Sequence, residues 1–329
     1  MTPAKRRGEF ELIAELFAPL SKGEPGAFGL TDDAAALKPK PGHDIVLTTD
    51  AIVAGVHFLP DDPPATIAQK ALRVNLSDIA AKGAKPRAYM LTAAFPDNTD
   101  DAWLKAFAEG LKHDQKKFGL TLIGGDTVAT PGPLTLSVVA IGEVAQGRML
   151  RRAHAKAGDD VWVTGTIGDA ALGLRILRGD DLGLSERHRA SLVARYRVPE
   201  PRVTAGQGIL AIAHGCLDVS DGLVADVGHM AKASKVAIEL RAADIPLAAA
   251  TQAAIANERA NLVDLLTAGD DYELAFTAAP ADRARLTALA AKLKIRFTRI
   301  GKVAKGKGVR VYAQDGAQLT LDRSGFTHF

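Results

Sequence analysis

Four separated stretches carry an aspartate whose presence asks for a reason: GLTDDAA (29–35), LTTDAIV (47–53), VNLSDIAAKGAKP (74–86) and LIGGDTV (122–128). They supply Asp33, Asp50, Asp78 and Asp126, and the second half of the chain adds Asp218, Asp221 and Asp270. Most of these follow apolar β-type runs and lie beside Gly, Ser, Thr or another Asp. Taken singly, each reads as a turn or helix cap. Asp78 differs, because it falls among Val74, Leu76, Ile79 and Ala80 inside a helical pattern, where Asp is a poor former. A solvated helix face is the simple account of it. Taken together, the acids point to one multi-metal phosphate site. Converging carboxylates repel one another unless cations lie between them. Hard oxygen ligands without a His/Cys cluster select Mg²⁺ over Zn²⁺, with substrate phosphates and waters completing the octahedron. Thr48, Thr49 and Ser220 could add hydroxyl or carbonyl oxygens.

The elements that must position these residues are legible in part. The apolar rhythm of 9–20 predicts a helix stopping at Pro19. A strand is expected over 44–50, then a helix over 66–83 with Thr66 as N-cap and Gly83 beyond its end. A strand over 88–95 and a helix over 99–119 follow; Trp103, Phe107 and Leu111 recur every four residues and Gly119 terminates the helix. LTLIGGD (120–126) reads as a strand entering a Gly-Gly turn, and 134–144 as another strand. The polar, basic stretch 145–160 is the domain boundary, giving an N-terminal domain over 1–146 and a C-terminal domain over 147–329. Beyond it come a strand, glycine turn and helix (160–177), helices on either side of PEPR (199–202), a strand, acidic turn and helix (216–234), and strands in 267–276 and 296–303. The mixture makes the class α/β or α+β. The GTIGDAALG loop (165–173) reads either as a loose phosphate loop or as a plain strand–helix turn. No Walker A motif or kinase-type catalytic set is present.

Composition removes whole classes of function. The chain has 329 residues, 47% hydrophobic and 24% charged, enough for two domains with full cores. A net charge of +3 without a dense Lys/Arg run gives no footprint for nucleic acid. One cysteine, Cys216, rules out an internal disulfide framework and cysteine-based metal sites, and fits a reducing cytoplasm. Neither a signal peptide nor a membrane span is expected. His113, His154 and His214 show no convergent partners, so surface or packing roles are expected for them.

Read in order, LTDDAA, LTTDAIVAGVHF, KALRVNLSDIAAKGAKP, LIGGDT, VTGTIGDAALGL, CLDVSDGL and GDDYELAFT resemble the thiamine-monophosphate kinase family over nearly the whole chain. That family lies in the superfamily of aminoimidazole ribonucleotide synthetase and selenophosphate synthetase. The resemblance implies a two-domain α/β fold of that kind, with the N-terminal sheets forming a barrel across a homodimer. It implies ATP-dependent phosphorylation of thiamine monophosphate to thiamine diphosphate, with several Mg²⁺ ions and, as a family trait, K⁺. By matching segments it implies metal ligation by Asp33, Thr48, Thr49, Asp50, Asp78, Asp126, Asp218 and Asp221. ATP contacts would come from Asp33, Gly125, Asp126, Arg152 and Ser220, and substrate contacts from His57, Asp270 and Phe326. No covalent intermediate or general base is expected, because the acceptor phosphate oxygen is already an anionic nucleophile and repulsion between two polyanions is what opposes reaction.

The sequence also departs from the family pattern. GEDYEL reads GDDYEL, putting the shorter Asp270 in place of a glutamate, and the usual basic-serine-glycine run reads RRAHAKAG, where Arg151 and Arg152 compete for one role and spacing to Gly158 favours Arg152. The C-terminal aromatic is Phe326, in SGFTHF. Rival readings are another ATP-using superfamily member and a non-catalytic nucleotide-binding protein. Residues 1–60 lack the cysteine of selenophosphate synthetases, and the chain ends in Phe329 rather than the cysteine of hydrogenase-maturation relatives.

Overall fold

A computed structural model describes residues 8–321 and 325–326. Two compact units divide the chain. The first takes residues up to Ile79 together with Lys85–Gly147; the second takes Ala80–Ala84 and the chain from Arg148 onward.

The first unit opens with α1 (Glu9–Leu12), which passes into a π-type turn (Ile13–Phe17) and a 3-10 turn (Ala18–Ser21). The predicted single helix over 9–20 therefore breaks early. Pro19 cannot donate to the ladder and its ring disfavours a regular turn before it. Next come β1 (His43–Val53), α2 (Pro64–Ala81), β2 (Lys85–Pro96), α3 (Asp101–Phe118), β3 (Thr121–Thr130) and β4 (Thr135–Ala145). The four strands form one sheet in the order β1-β4-β2-β3, with β2 and β3 parallel and the other pairs antiparallel. Helix α2 begins at Pro64, which suits a first helical position, so Thr66 is not the cap but bonds the Pro63 carbonyl through its hydroxyl. Asp100 caps α3 by accepting the Trp103 N–H, and left-handed Gly119 ends it.

Gly124-Gly125 does not turn the chain. The strand runs on to Thr130, and the register along β2 shifts by one residue at Tyr89/Met90. Gly125 has φ +148, and a Cβ there would overlap the Leu91 carbonyl of the neighbouring strand. The glycine is needed for close approach within the sheet.

Helix α2 is buried on nearly every side, so its polar residues need partners. Lys70 Nζ donates to the His57 carbonyl (2.7 Å), and Arg73 forms a two-point pair with Asp114 of α3 (2.6 and 2.8 Å).

The second unit contains β5 (Asp160–Thr164), α4 (Asp169–Leu177), α5 (Glu186–Arg197), α6 (Val203–Ile209), β6 (Cys216–Val219), α7 (Leu223–Ser234), β7 (Ala237–Arg241), α8 (Ala249–Ala256), α9 (Leu262–Leu266), β8 (Glu273–Ala278), α10 (Arg283–Leu293), β9 (Phe297–Ala304) and β10 (Gly308–Tyr312). Its sheet runs β10-β7-β9-β5-β8-β6, antiparallel except between β10 and β7. Every residue of β5 and β8 is buried, which is why neither alternates polar with apolar. One core joins this sheet to α7 through Val161, Leu217, Val227 and Ile238, and another joins α4, α5 and α8 through Leu172, Leu192 and Ala254. Among the described residues no helix is long and apolar enough to cross a membrane.

The Arg73–Asp114 pair generates a stability prediction. Arg73→Ala should cost about 3–5 kcal/mol in urea unfolding, because the Asp114 carboxylate is left buried without its cation. The double variant Arg73→Met/Asp114→Leu should lose less than the single one. Equal losses would show that the pair acts by packing alone.

Candidate functional site

In the first unit the acids of β1 and α2 meet. Thr48 Oγ1 donates to Asp78 Oδ2 at 2.5 Å, and the Asp50 N–H donates to Asn75 Oδ1 at 2.9 Å. Asn75 and Asp78 are one helical turn apart, so a single face of α2 grips two alternate residues of the strand. Asp78 is half-buried while Asp50 and Thr49 are exposed. The mid-helix carboxylate therefore faces a strand rather than open solvent. Asn75 was not among the expected residues; its signal is a polar side chain three positions before Asp78 in an apolar helix.

Asp126 lies elsewhere in this unit. It shares a row of the sheet with Thr92, Ser137 and Ala51, whereas Asp50 shares the next row with Val138, Leu91 and Gly125. Successive rows face opposite sides of a sheet. Strands β1 and β3 are also its two edges, about 14 Å apart at the usual strand spacing. Asp33 is exposed among bends at 32–34, where its N–H bonds Asp32 Oδ1 (2.8 Å). One copy of the sheet thus brings Thr48, Asp50 and Asp78 together and does not bring Asp126 to them. His57 closes a tight loop: its Nδ1 accepts the Val53 N–H at 3.1 Å, which puts the proton of the neutral ring on Nε2.

In the second unit three segments are stitched together. The Ser220 carbonyl accepts the Asp270 N–H (2.8 Å), the Val219 carbonyl accepts the Tyr272 N–H (2.7 Å), and the Asp221 carbonyl accepts the Phe326 N–H (2.9 Å). Ser220, Asp221, Asp270 and Phe326 are thus gathered beside Asp218 at the end of β6. Phe326 is 49% exposed, with its ring at the surface and its backbone tied. Asp226 organises the acidic turn, since its Oδ2 accepts the N–H groups of both Ser220 and Asp221 at 3.0 Å. Burial pushes the Asp226 carboxyl up to about 7, and the nearby Asp221 charge pushes the same way, against the two N–H bonds and the Arg152 charge. Arg152 thereby lies within electrostatic reach of the acidic turn, while Arg151 is held in a backbone bridge to Gly215. Ligand atoms of Asp221, Asp226 and His229 fall within 4.8 Å of one another. Asp226 went unread in the sequence because only the helix of α7 folds it back over the turn.

The GTIG loop resolves to a strand–helix turn closed from within. Both carboxylate oxygens of Asp271 accept the Gly168 N–H (3.0 and 2.8 Å), and Asp169 takes the hydroxyls of Thr166 and Thr251. The N–H a phosphate would need at Gly168 is occupied. Two of the three histidines have partners that the sequence did not show: His113 bonds Asp114 and His214 bonds Asp159, while His154 is exposed.

A donor set of carboxylates and hydroxyls, with one histidine, fits Mg²⁺ better than Zn²⁺ or a redox metal. Within the first unit Thr48, Asp50 and Asp78, and within the second Asp218 and Asp221, are groups that would hold such ions. The crowding of Asp221 on Asp226 is the repulsion a divalent ion would relieve.

Asp226 makes a pH prediction in Mg²⁺-free buffer. Its folded-state affinity for a proton exceeds that of the unfolded chain, so its stabilisation is fully present below about pH 4 and is lost as pH rises through about 7. Asp226→Asn should flatten that slope and keep the turn, while Asp226→Ala should lose about 1–3 kcal/mol by leaving two N–H groups unpaired. Urea unfolding at pH 4, 6 and 8 measures both, and an unchanged slope in Asp226→Asn would assign the titration elsewhere.

Comparison with known proteins agrees with this architecture. The family models for AIR synthase related protein match residues 31–144 (N-terminal domain) and 156–314 (C-terminal domain). The thiamine-monophosphate kinase of Caulobacter vibrioides is 40% identical over 323 residues, covering 97% of this chain and 90% of that protein. That of Escherichia coli K12 is 39% identical, covering 98% of each. The crystal structure of the Stenotrophomonas maltophilia enzyme superposes with a TM-score of 0.81 at 40% identity, over 92% of this chain and 94% of that one. The complex of AaThiL with AMPPCP and TMP superposes with a TM-score of 0.79 at 30% identity, over 99% of both chains. With that identity along nearly its whole length, and with both domains matched, the chain belongs to the thiamine-monophosphate kinase family.

Proposed function

We propose that the chain transfers the γ-phosphoryl group of ATP directly to the phosphate of thiamine monophosphate, giving ADP and thiamine diphosphate. The observation that carries this is the full-length likeness to AaThiL, whose complex holds an ATP analogue and TMP together. The bond between the β–γ bridging oxygen and the γ-phosphorus breaks, and a terminal oxygen of the acceptor phosphate forms the new bond in line with it. Bound Mg²⁺ supplies neutralisation of the charge that two polyanions would otherwise set against each other.

In this reading Asp33, Thr48, Thr49, Asp50, Asp78, Asp126, Asp218 and Asp221 hold the metal ions, and K⁺ is a further ion. Asp33, Gly125, Asp126, Arg152 and Ser220 meet ATP; His57, Asp270 and Phe326 meet the acceptor. The gathering of Asp270 and Phe326 beside Ser220 and Asp221 supports the second assignment. His57, with its Nε2 proton, is a hydrogen-bond donor suited to a phosphate oxygen. The face of Phe326 suits a cationic thiazolium ring.

The active form is a homodimer in the cytoplasm. On the first unit's sheet, Leu47, Met90 and Val128 share one face and are 63%, 39% and 44% exposed, and β1 and β3 are its outermost strands. A barrel completed by a second copy would bury that face and close those edges.

Measuring ADP and thiamine diphosphate, with and without thiamine monophosphate, tests the reaction. ATP consumption that ignores the acceptor would overturn it. For the metal role, Asp78→Ala should weaken the Mg²⁺ signal in calorimetry while costing only about 1 kcal/mol of metal-free stability, the usual worth of its bond to Thr48. Indistinguishable Mg²⁺ titrations would leave Asp78 with a purely structural task.

A further inference from the structure

Asp271 is fully buried, yet its neighbours on either side, Asp270 and Tyr272, are half-buried, and Asp270 is assigned above to the acceptor. Asp270 and Tyr272 have φ of +72° and +50°. Left-handed backbone is unfavourable for residues with a Cβ, and two such residues flanking one position persist only where surrounding structure over-determines them. The effect is to turn Asp271 inward and its two neighbours outward, with Tyr272 Oη 3.3 Å from Asp270 Oδ1.

The constraint can be traced. Asp271 places both carboxylate oxygens on the Gly168 N–H, 103 residues away in sequence. The position of Gly168 requires glycine: its φ is +84°, and a Cβ there would lie 2.7 Å from Leu265 Cβ. On the far side, Arg195 Nη2 donates to the Asp271 carbonyl (3.1 Å) and to Glu273 Oε1 (2.9 Å). Arg202 grips the same buried glutamate, and Thr164 Oγ1 donates to it at 2.7 Å. Toward the site, the bonds from Asp270 to the Ser220 carbonyl and from Tyr272 to the Val219 carbonyl fix the turn against β6.

We infer that Asp271 is a positioning residue for the acceptor side of the site: by gripping the Gly168 N–H it holds the left-handed Asp270–Tyr272 turn in the one conformation that presents Asp270. This rests on the function proposed above. The requirement is for an oxygen acceptor at this depth rather than for a charge, because burial opposes ionisation and holds the carboxyl well above the usual range. An asparagine, which keeps one oxygen, replaces it; an alanine does not.

The test is steady-state kinetics with each substrate varied in turn, and melting temperature measured alongside. Asp271→Ala should raise the KM for thiamine monophosphate at least about tenfold and leave that for ATP within about twofold, since a small misplacement of a positioning contact is costly. Asp271→Asn should stay within about threefold of the wild type for both, because it retains the acceptor. Equal rises in both KM values, or an unchanged acceptor KM in folded Asp271→Ala, would overturn the assignment, as would an Asp271→Asn variant as impaired as Asp271→Ala. Should Asp271→Ala not fold, Asp271→Ser reads the same split, and equal or absent changes there overturn it. Failure of the underlying reaction is a separate result, visible as wild-type protein that makes no thiamine diphosphate.

Discussion

A protein that concentrates carboxylates must compensate each one, and in this chain the compensation holds the elements in place. Glu273 is fully buried and is met by Arg195, Arg202 and Thr164. Asp271 is met by the Gly168 N–H, Asp226 by two N–H groups of the acidic turn, and Asp114 by Arg73. In every case the partner comes from another element or from across a turn. An unpaired acid at such depth would cost more than the hydrogen bonds it makes. The rule that buried polar groups must be satisfied therefore selects one arrangement of strands, turns and helices.

The same rule sorts the acids by depth. Asp33, Asp50 and Asp126 are exposed, and Asp78, Asp218, Asp221 and Asp270 are half-buried. Fully buried carboxylates are committed to backbone N–H groups, arginines, hydroxyls or histidines within the protein. The half-buried ones stand on that scaffold, one step removed from it: Asp270 beside Asp271, and Asp221 beneath Asp226. Rigid support of this kind is what a transfer between two anions needs, because positioning and charge neutralisation supply nearly all of the catalysis.

Glycines perform a narrower task at the same places. Gly125 lets β3 approach β2, and Gly222 and Gly269 let the two loops around Ser220 pass close to each other. Each lies next to a candidate site residue. The glycine-rich look of these segments reflects crowding of backbone on backbone as much as any approach of phosphate.

Motif order along the chain was enough to determine the family and the two-domain organisation, because those depend on residue type and spacing alone. Helix α3 was legible from its periodicity and its terminal glycine, both local properties. Strands β7 and β10 escaped notice because five-residue runs such as AIELR and GVRVY carry too little periodicity to stand out. The extension of β3 through Gly124-Gly125 was hidden because a glycine pair signals a turn locally, whereas here a neighbouring strand imposes the extended path. Asp226 and Asp271 carry no signature as site-shaping residues, since their roles arise from contacts with Ser220 and Gly168. Tertiary structure alone decided which acids are anchors and which are presented, because burial and hydrogen-bond partners are properties of the packed chain.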